Sequence, residues 1–424
     1  MTDPEKHSGV FVGGACDAFA MRQLGRDLTI GERVGWYRRR RGISQEVLAG
    51  LVDRTTDWLS KVENGRANLE RLSVIKSLAD ALDVTVGDLL GEPAVLEWAP
   101  TAPGRTLGLL RDALMDYPTL TGTLSNARAV PRDELRRAVE DVWSGYQASR
   151  FGYVATRLPS VLAGARNAVA DATSADASAD SQRILALSYH AAAATLTKVG
   201  EADLSWIASD RGLMAAEQSE DFAVIAGLLR SVTHSMMANG RYDAAADVAS
   251  RATDRLASVK RAEPVWWSLL GSLYLAGAMA SARADQRGEA RTFMARARQV
   301  SQQVGNDANH AWTAFGPTNV AVHDVSVALE LGDIQVALDL APRVDATALP
   351  VERRIRHSLE VARVYHLFNR REAALATVLH AERDAAEQVR YHYIARELVV
   401  SWMRSKKVQG RAEIDALAHR LRLA

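Results

Sequence analysis

The residues best suited to recognition chemistry lie between Ile30 and Gly91. Gly42-Ile43-Ser44-Gln45 reads as the end of one helix and the cap of the next at Ser44, Asp53-Arg54 as a tight turn, and Thr55 as the cap of a helix running to Val62. Glu63-Asn64-Gly65 ends that helix, which gives helix-turn-helix spacing. Its early residues Thr55, Thr56 and Asp57, with Lys61 one turn later, carry groups that can read base edges. Lysine donates to guanine, threonine methyls touch the thymine methyl, and aspartate accepts from cytosine.

Catalytic patterns are absent from the rest of the chain. There is no GxxxxGK[ST], GxSxG or HExxH, and His190, His234, His310, His323, His357, His366, His380 and His392 are scattered without ligand spacing. Cys16 is the only cysteine, so an intrachain disulfide or a multi-thiolate metal site is excluded. Neither a metal nor a cofactor is expected, and the sequence does not point to an enzyme. Of 52 basic residues 45 are arginine, and although the net charge is only +1, four stand together at Arg38 to Arg41. Charge placement, not the total, is what suggests a polyanionic partner. No uninterrupted apolar run approaches the ~20 residues of a spanning helix, so no membrane is expected and the default address is cytoplasmic.

The elements that must position these residues read as helices throughout. Residues 1–27 contain Gly9, Gly13 and Gly14 without a sustained period and read as a disordered tail. Short amphipathic stripes follow over 28–91. Residues 92–130, with Pro93, Pro100, Pro103 and Pro118, read as a linker in which Leu107, Leu110 and Leu114 mark a bridging helix. Helical periodicity then fills 131–424 without strand-like alternation, and turn glycines recur at Gly152, Gly200, Gly240, Gly288 and Gly332, with a glycine-free copy at Asn369-Arg370-Arg371-Glu372-Ala373-Ala374. The expectation is an all-α chain: a five-helix head followed by an α-solenoid of stacked helical hairpins.

The stretch 30–91, with Leu72, Ile75, Leu78, Ala79, Leu82, Val84, Val86 and the closing Asp88-Leu89-Leu90-Gly91, resembles the Xre/Cro family of phage and bacterial repressors. The resemblance implies double-stranded operator DNA as partner, with Thr55, Thr56, Asp57 and Lys61 at base-contacting positions. Gln45 and Asn64 then fall at phosphate-holding positions, and Arg66 and Arg71 add charge against the backbone. Arg38 and Glu63 match the family's ion pair between its first and recognition helices. Asp53 and Arg54 depart from the family's usual glycine and apolar turn residues, and Trp36 stands where a polar surface residue is usual, which suggests that something covers it.

The second half resembles the tetratricopeptide repeat at Trp267, Leu270, Gly271 and Tyr274 and at Gly240-Arg241-Tyr242, with a period longer than ~34 residues. Joined to the head, it is similar to bacterial quorum regulators, which implies a signalling peptide or small-molecule effector and a homodimer. Trp266, Trp312, Phe315, Asn319 and His323 are expected to line an effector groove on the concave face. The competing expectation is that the repeats serve only protein–protein contact or dimerisation.

Overall fold

The computed structural model describes residues 28–67, 69, 71–84, 86–90, 105–115, 130–259, 261, 263–405 and 410–423. Residues 1–27, read as a tail, and most of the 92–130 segment lie outside them. Among the described residues all regular structure is helical.

The head comprises α1 (Ile30–Arg40), α2 (Gln45–Leu51), α3 (Thr56–Glu63), α4 (Leu72–Leu82) and α5 (Val86–Leu90). Its boundaries follow from side-chain caps. A reciprocal pair of bonds between Thr29 and Glu32 opens α1, Ser44 accepts from the Val47 amide at 3.1 Å, and Thr55 accepts from the Trp58 amide at 3.2 Å. The α2–α3 turn places Asp53 at φ 51°, a left-handed conformation that aspartate tolerates. The recognition helix starts after its cap Thr55, as expected, and runs to Glu63, one residue past the expected end at Val62. A Cβ at Gly31 would stand 2.0 Å from the Val62 carbonyl oxygen, so α1 and α3 touch backbone to backbone there.

After the bridging helix α6 (Arg105–Met115), the repeat domain runs as α7 (Arg132–Gln147), α8 (Phe151–Ala170), α9 (Ala175–Lys198), α10 (Ala202–Gln218), α11 (Phe222–Ala238), α12 (Tyr242–Ser258), α13 (Pro264–Arg283) and α14 (Arg287–Val304). It continues through α15 (Pro317–Glu330), α16 (Ile334–Leu340), α17 (Val351–Leu367), α18 (Arg371–Asp384), the short α19 (Ala386–Tyr391), α20 (Tyr393–Arg404) and α21 (Arg411–Arg420). Helices α7, α9, α11, α13, α15, α17 and α20 stack on one another as one layer, and each packs against the helix that completes its hairpin. This is an α-solenoid.

One local rule closes its hairpins. The residue two places after the first helix is left-handed at Ser149, Gly200, Gly240, Asp285, Gly332 and Asn369. The following amide then reaches back to close the turn, as at Glu201 to the Leu196 carbonyl (3.0 Å) and Asp333 to the Ala328 carbonyl (2.8 Å). Two expected turn glycines are corrected accordingly: Gly152 and Gly288 lie inside the first turns of α8 and α14, and Ser149 and Asp285 take the left-handed position.

Helix α13 is long and apolar enough to cross a membrane, but it is buried in the middle of the array. Helix α6 buries Leu107, Leu110 and Leu114 against α8 and α10. The head does not hang free. Its Leu72, Ile75, Leu89 and Leu90 share one apolar core with Ala226, Met237, Tyr242 and Tyr274 of the repeats. At the other end Glu397 of α20 accepts from the Ile30 amide (3.3 Å), and Glu32 pairs with Arg404.

Candidate nucleic-acid interface and repeat-domain cavity

Docking the head through α1, α4 and α5 leaves α3 on the outside. Thr55, Thr56, Asp57 and Lys61 are all exposed, on one end and one face of the helix. Lys61 Nζ holds Asp57 Oδ2 at 2.6 Å across one turn, a pair open to solvent and weak enough to exchange for a base contact. Asn64 is exposed and donates to the Ser60 carbonyl (2.7 Å), and Arg66 is exposed beside it. Gln45 is half-buried and spends its amide on Glu63 (2.8 Å).

Arg38 binds both oxygens of Glu63, at 2.6 and 2.9 Å, and donates to the Ile43 carbonyl at 2.8 Å. The hydrogen bonds it donates to Glu63 hold the Arg38 guanidinium above its ordinary value. This fork sets the angle between α1 and α3. Trp36 is half-buried by its own helix, with Tyr37 edge-on at 4.8 Å and the Arg40 guanidinium over its ring.

Arg71 corrects the expectation of a phosphate contact. It points into the array instead, pairing with Asp285 and donating to the Glu330 carbonyl at 3.2 Å, with its Cδ 3.3 Å from where a Cβ on Gly332 would stand.

The second site is a cavity of about 70 Å³ within the array, partly open to solvent. It forms because the superhelix returns on itself. Ser149 donates to Gln388 (2.6 Å), the Gly152 amide to Glu387 (3.0 Å), and Lys198 pairs with Glu352, joining early hairpins to late ones. A loop from α14 to α15 closes one side. Its Trp312 ring stacks on Trp143 with centroids 5.1 Å apart and planes 8° off parallel. Asn309 exchanges two hydrogen bonds with Gln147 (2.8 and 3.0 Å), strapping the loop across to α7. Ala311, Trp312 and Ala314 all have left-handed φ, a run of backbone strain of the kind that clusters at ligand clamps.

Of the residues expected in the groove, only Trp312 lines this cavity. Trp266, Phe315, Asn319 and His323 are buried elsewhere. Phe315 fills the notch over Gly271, Asn319 donates to the Ala314 carbonyl (2.9 Å), and Trp266 lies in the core that the head shares. His323 Nδ1 meets the Asn319 carbonyl at 2.8 Å. Burial, then Arg353 and Arg356, hold His323 down to about 3. The cavity wall is instead made by Tyr146, His190, Lys198, Arg230, Glu352 and Arg353, with Trp143. These come from distant hairpins. The one available signal was Arg230, a lone charge in the otherwise uncharged helix Phe222–Ala238.

The chain thus combines a helix-turn-helix head with an α-solenoid. In agreement, residues 29–91 match the helix-turn-helix domain family. No curated protein matches the chain. Among solved structures, a Rap protein complexed with competence and sporulation factor is similar at 12% identity and a TM-score of 0.44, over 86% of this chain and 99% of that one.

Proposed function

We propose that this protein is a sequence-specific, DNA-binding transcription regulator whose repeat domain takes an effector, a signalling peptide or a small molecule, at this cavity. The observation that carries the reading is a shared lever. Helix α11 contributes Arg230, Ser231 and His234 to the cavity and runs into the turn at Gly240, where a Cβ would stand 3.3 Å from Val86 of the head. Helix α15 starts beyond the Trp312 strap and ends at Glu330, whose carbonyl holds Arg71. Anything that shifts the cavity walls moves the seat of the head.

An effector changes DNA affinity only through different affinities for the two arrangements. In a homodimer, where two heads must match two half-sites, ~1–3 kcal/mol of coupling gives a 5–150-fold response. Thr55, Thr56, Asp57 and Lys61 read bases, while Asn64 and Arg66 hold phosphates. Such a protein works in the compartment that holds the DNA, the cytoplasm of a bacterial cell.

Binding-site selection from random duplexes tests the reading. Lys61→Ala relaxes preference at one base position by roughly 1–3 kcal/mol, whereas Asn64→Ala weakens all sequences alike. Equal loss on selected and random DNA with Lys61→Ala places that lysine on phosphate and removes it from the code.

A further inference from the structure

The cavity carries a charge imbalance that the chain does not resolve. Lys198, Arg230, Arg353 and Arg356 line it against one carboxylate, Glu352. Glu352 serves Lys198 and lies 3.7 Å from Arg353, and Arg356 has Glu360 at 3.4 Å. Arg230 is left over. It is only 7% exposed, has no ion-pair or hydrogen-bond partner among the described residues, and its Nε is enclosed with nothing to donate to. Burial and then Arg353 pull this guanidinium down to about 10 against the more distant Tyr146 and Glu352, and a buried charge with no contacting acceptor is costly.

The neighbouring groups cannot supply it. Burial and then Arg230 hold the His190 ring well below its ordinary value, and burial with Arg230, Arg353, Arg356 and Lys198 does the same to His234. Both rings stay uncharged. Burial pushes Lys198 down to about 8 against the pull of Glu352, while Lys198 and Arg353 overcome burial to hold Glu352 at about 2. The one carboxylate is therefore fully ionised and already shared.

We propose that the cavity is an anion site: it takes the phosphate or carboxylate group of an effector, with Arg230 as the principal partner and the Trp143–Trp312 stack as an apolar wall for the group attached to it. This rests on reading the cavity as the effector site and adds the ligand's chemical class. Size agrees with a headgroup. About 70 Å³ is room for a few waters, enough for a phosphate or carboxylate and too little for an extended peptide, so the remainder of a longer ligand lies outside or opens the Ser149–Gln388 seam. Guanidinium and a planar or tetrahedral oxyanion match in fork geometry.

Thermal melting and calorimetric titration of the full chain test this with inorganic phosphate, phenyl phosphate, N-acetyltryptophan and, as the uncharged control, N-acetyltryptophanamide. At about 100 times its dissociation constant a binding anion raises the melting temperature by roughly 3 °C, and the amide leaves it unchanged. Stabilisation by the phosphates alone identifies a phosphoryl ligand. Stabilisation by N-acetyltryptophan alone identifies a carboxylate such as a peptide C-terminus. Arg230→Gln and Arg230→Met weaken binding at least tenfold while melting no lower than wild type, because each removes a buried unpaired charge; a guanidinium kept for structure would melt lower when replaced. No stabilisation by any anion, equal stabilisation by the amide, or unchanged affinity in a folded Arg230 variant overturns the proposal. These readouts contain no DNA, so an anion that binds without altering operator affinity leaves the site standing and refutes only its coupling to the head.

Discussion

Replacing Glu63 with alanine unfolds the surface of α1–α3 proposed to read DNA, at a cost of about 3–5 kcal/mol, and takes the proposed operator binding with it. The Glu63 side chain is 4% exposed and receives three donors, two from Arg38 and one from Gln45. Its removal strands the Arg38 charge, whose side chain is 12% exposed, and frees the Gln45 amide in the seam between α1, α2 and α3. Because a Cβ at Gly35 would already stand 3.2 Å from the Glu63 carboxylate, the helices are too close for another side chain to move in. Hydrogen exchange by mass spectrometry provides the check. Amides of α1–α3 lose protection in the variant while α7–α10, which bury a separate core, keep theirs. Protection retained across α1–α3 would show that the fork is dispensable.

Phe315→Ala destabilises the repeat domain by about 3–5 kcal/mol in a urea melt and loosens the Trp312 strap. Phe315 is fully buried, and its ring occupies the space over Gly271 so completely that a Cβ there would stand 2.0 Å from it. The cavity left by alanine cannot collapse easily, since α13 is buried along nearly all of its length. With the ring gone, the loop loses its anchor next to Ala314, and the stack of Trp312 on Trp143 opens. A loss below about 1 kcal/mol would mean that the loop, not the ring, holds this part of the array.

The head was readable in sequence because its signals are local. Ser44 and Thr55 cap by bonds three residues away, and Asp53 takes a left-handed turn by itself. The solenoid was readable from periodicity, but its turns were partly misplaced. Glycine is not needed where serine or aspartate tolerates left-handed backbone, so Ser149 and Asp285 gave no punctuation, and Gly152 and Gly288 gave a false one. Arg71 was assigned by type as a phosphate contact. Only the docking of the head on Asp285 and Glu330, more than 200 positions away, redirects it. The cavity was illegible for the same reason, being assembled from Trp143, Arg230 and Arg353, which meet because the superhelix closes. Of the expected groove residues Trp312 alone lines the cavity, whereas Phe315 and Asn319, which share its neighbourhood of aromatics and amides, hold the strap from behind.

The central claim, that this chain reads DNA sequence through α3, is tested most directly by one titration: the affinity of the full chain for its selected operator against a scrambled duplex of the same length, at fixed salt. The account predicts a ratio of at least 10³, with a steep loss of both affinities as salt rises. A ratio near one at every salt concentration, or no binding to either duplex, would contradict it.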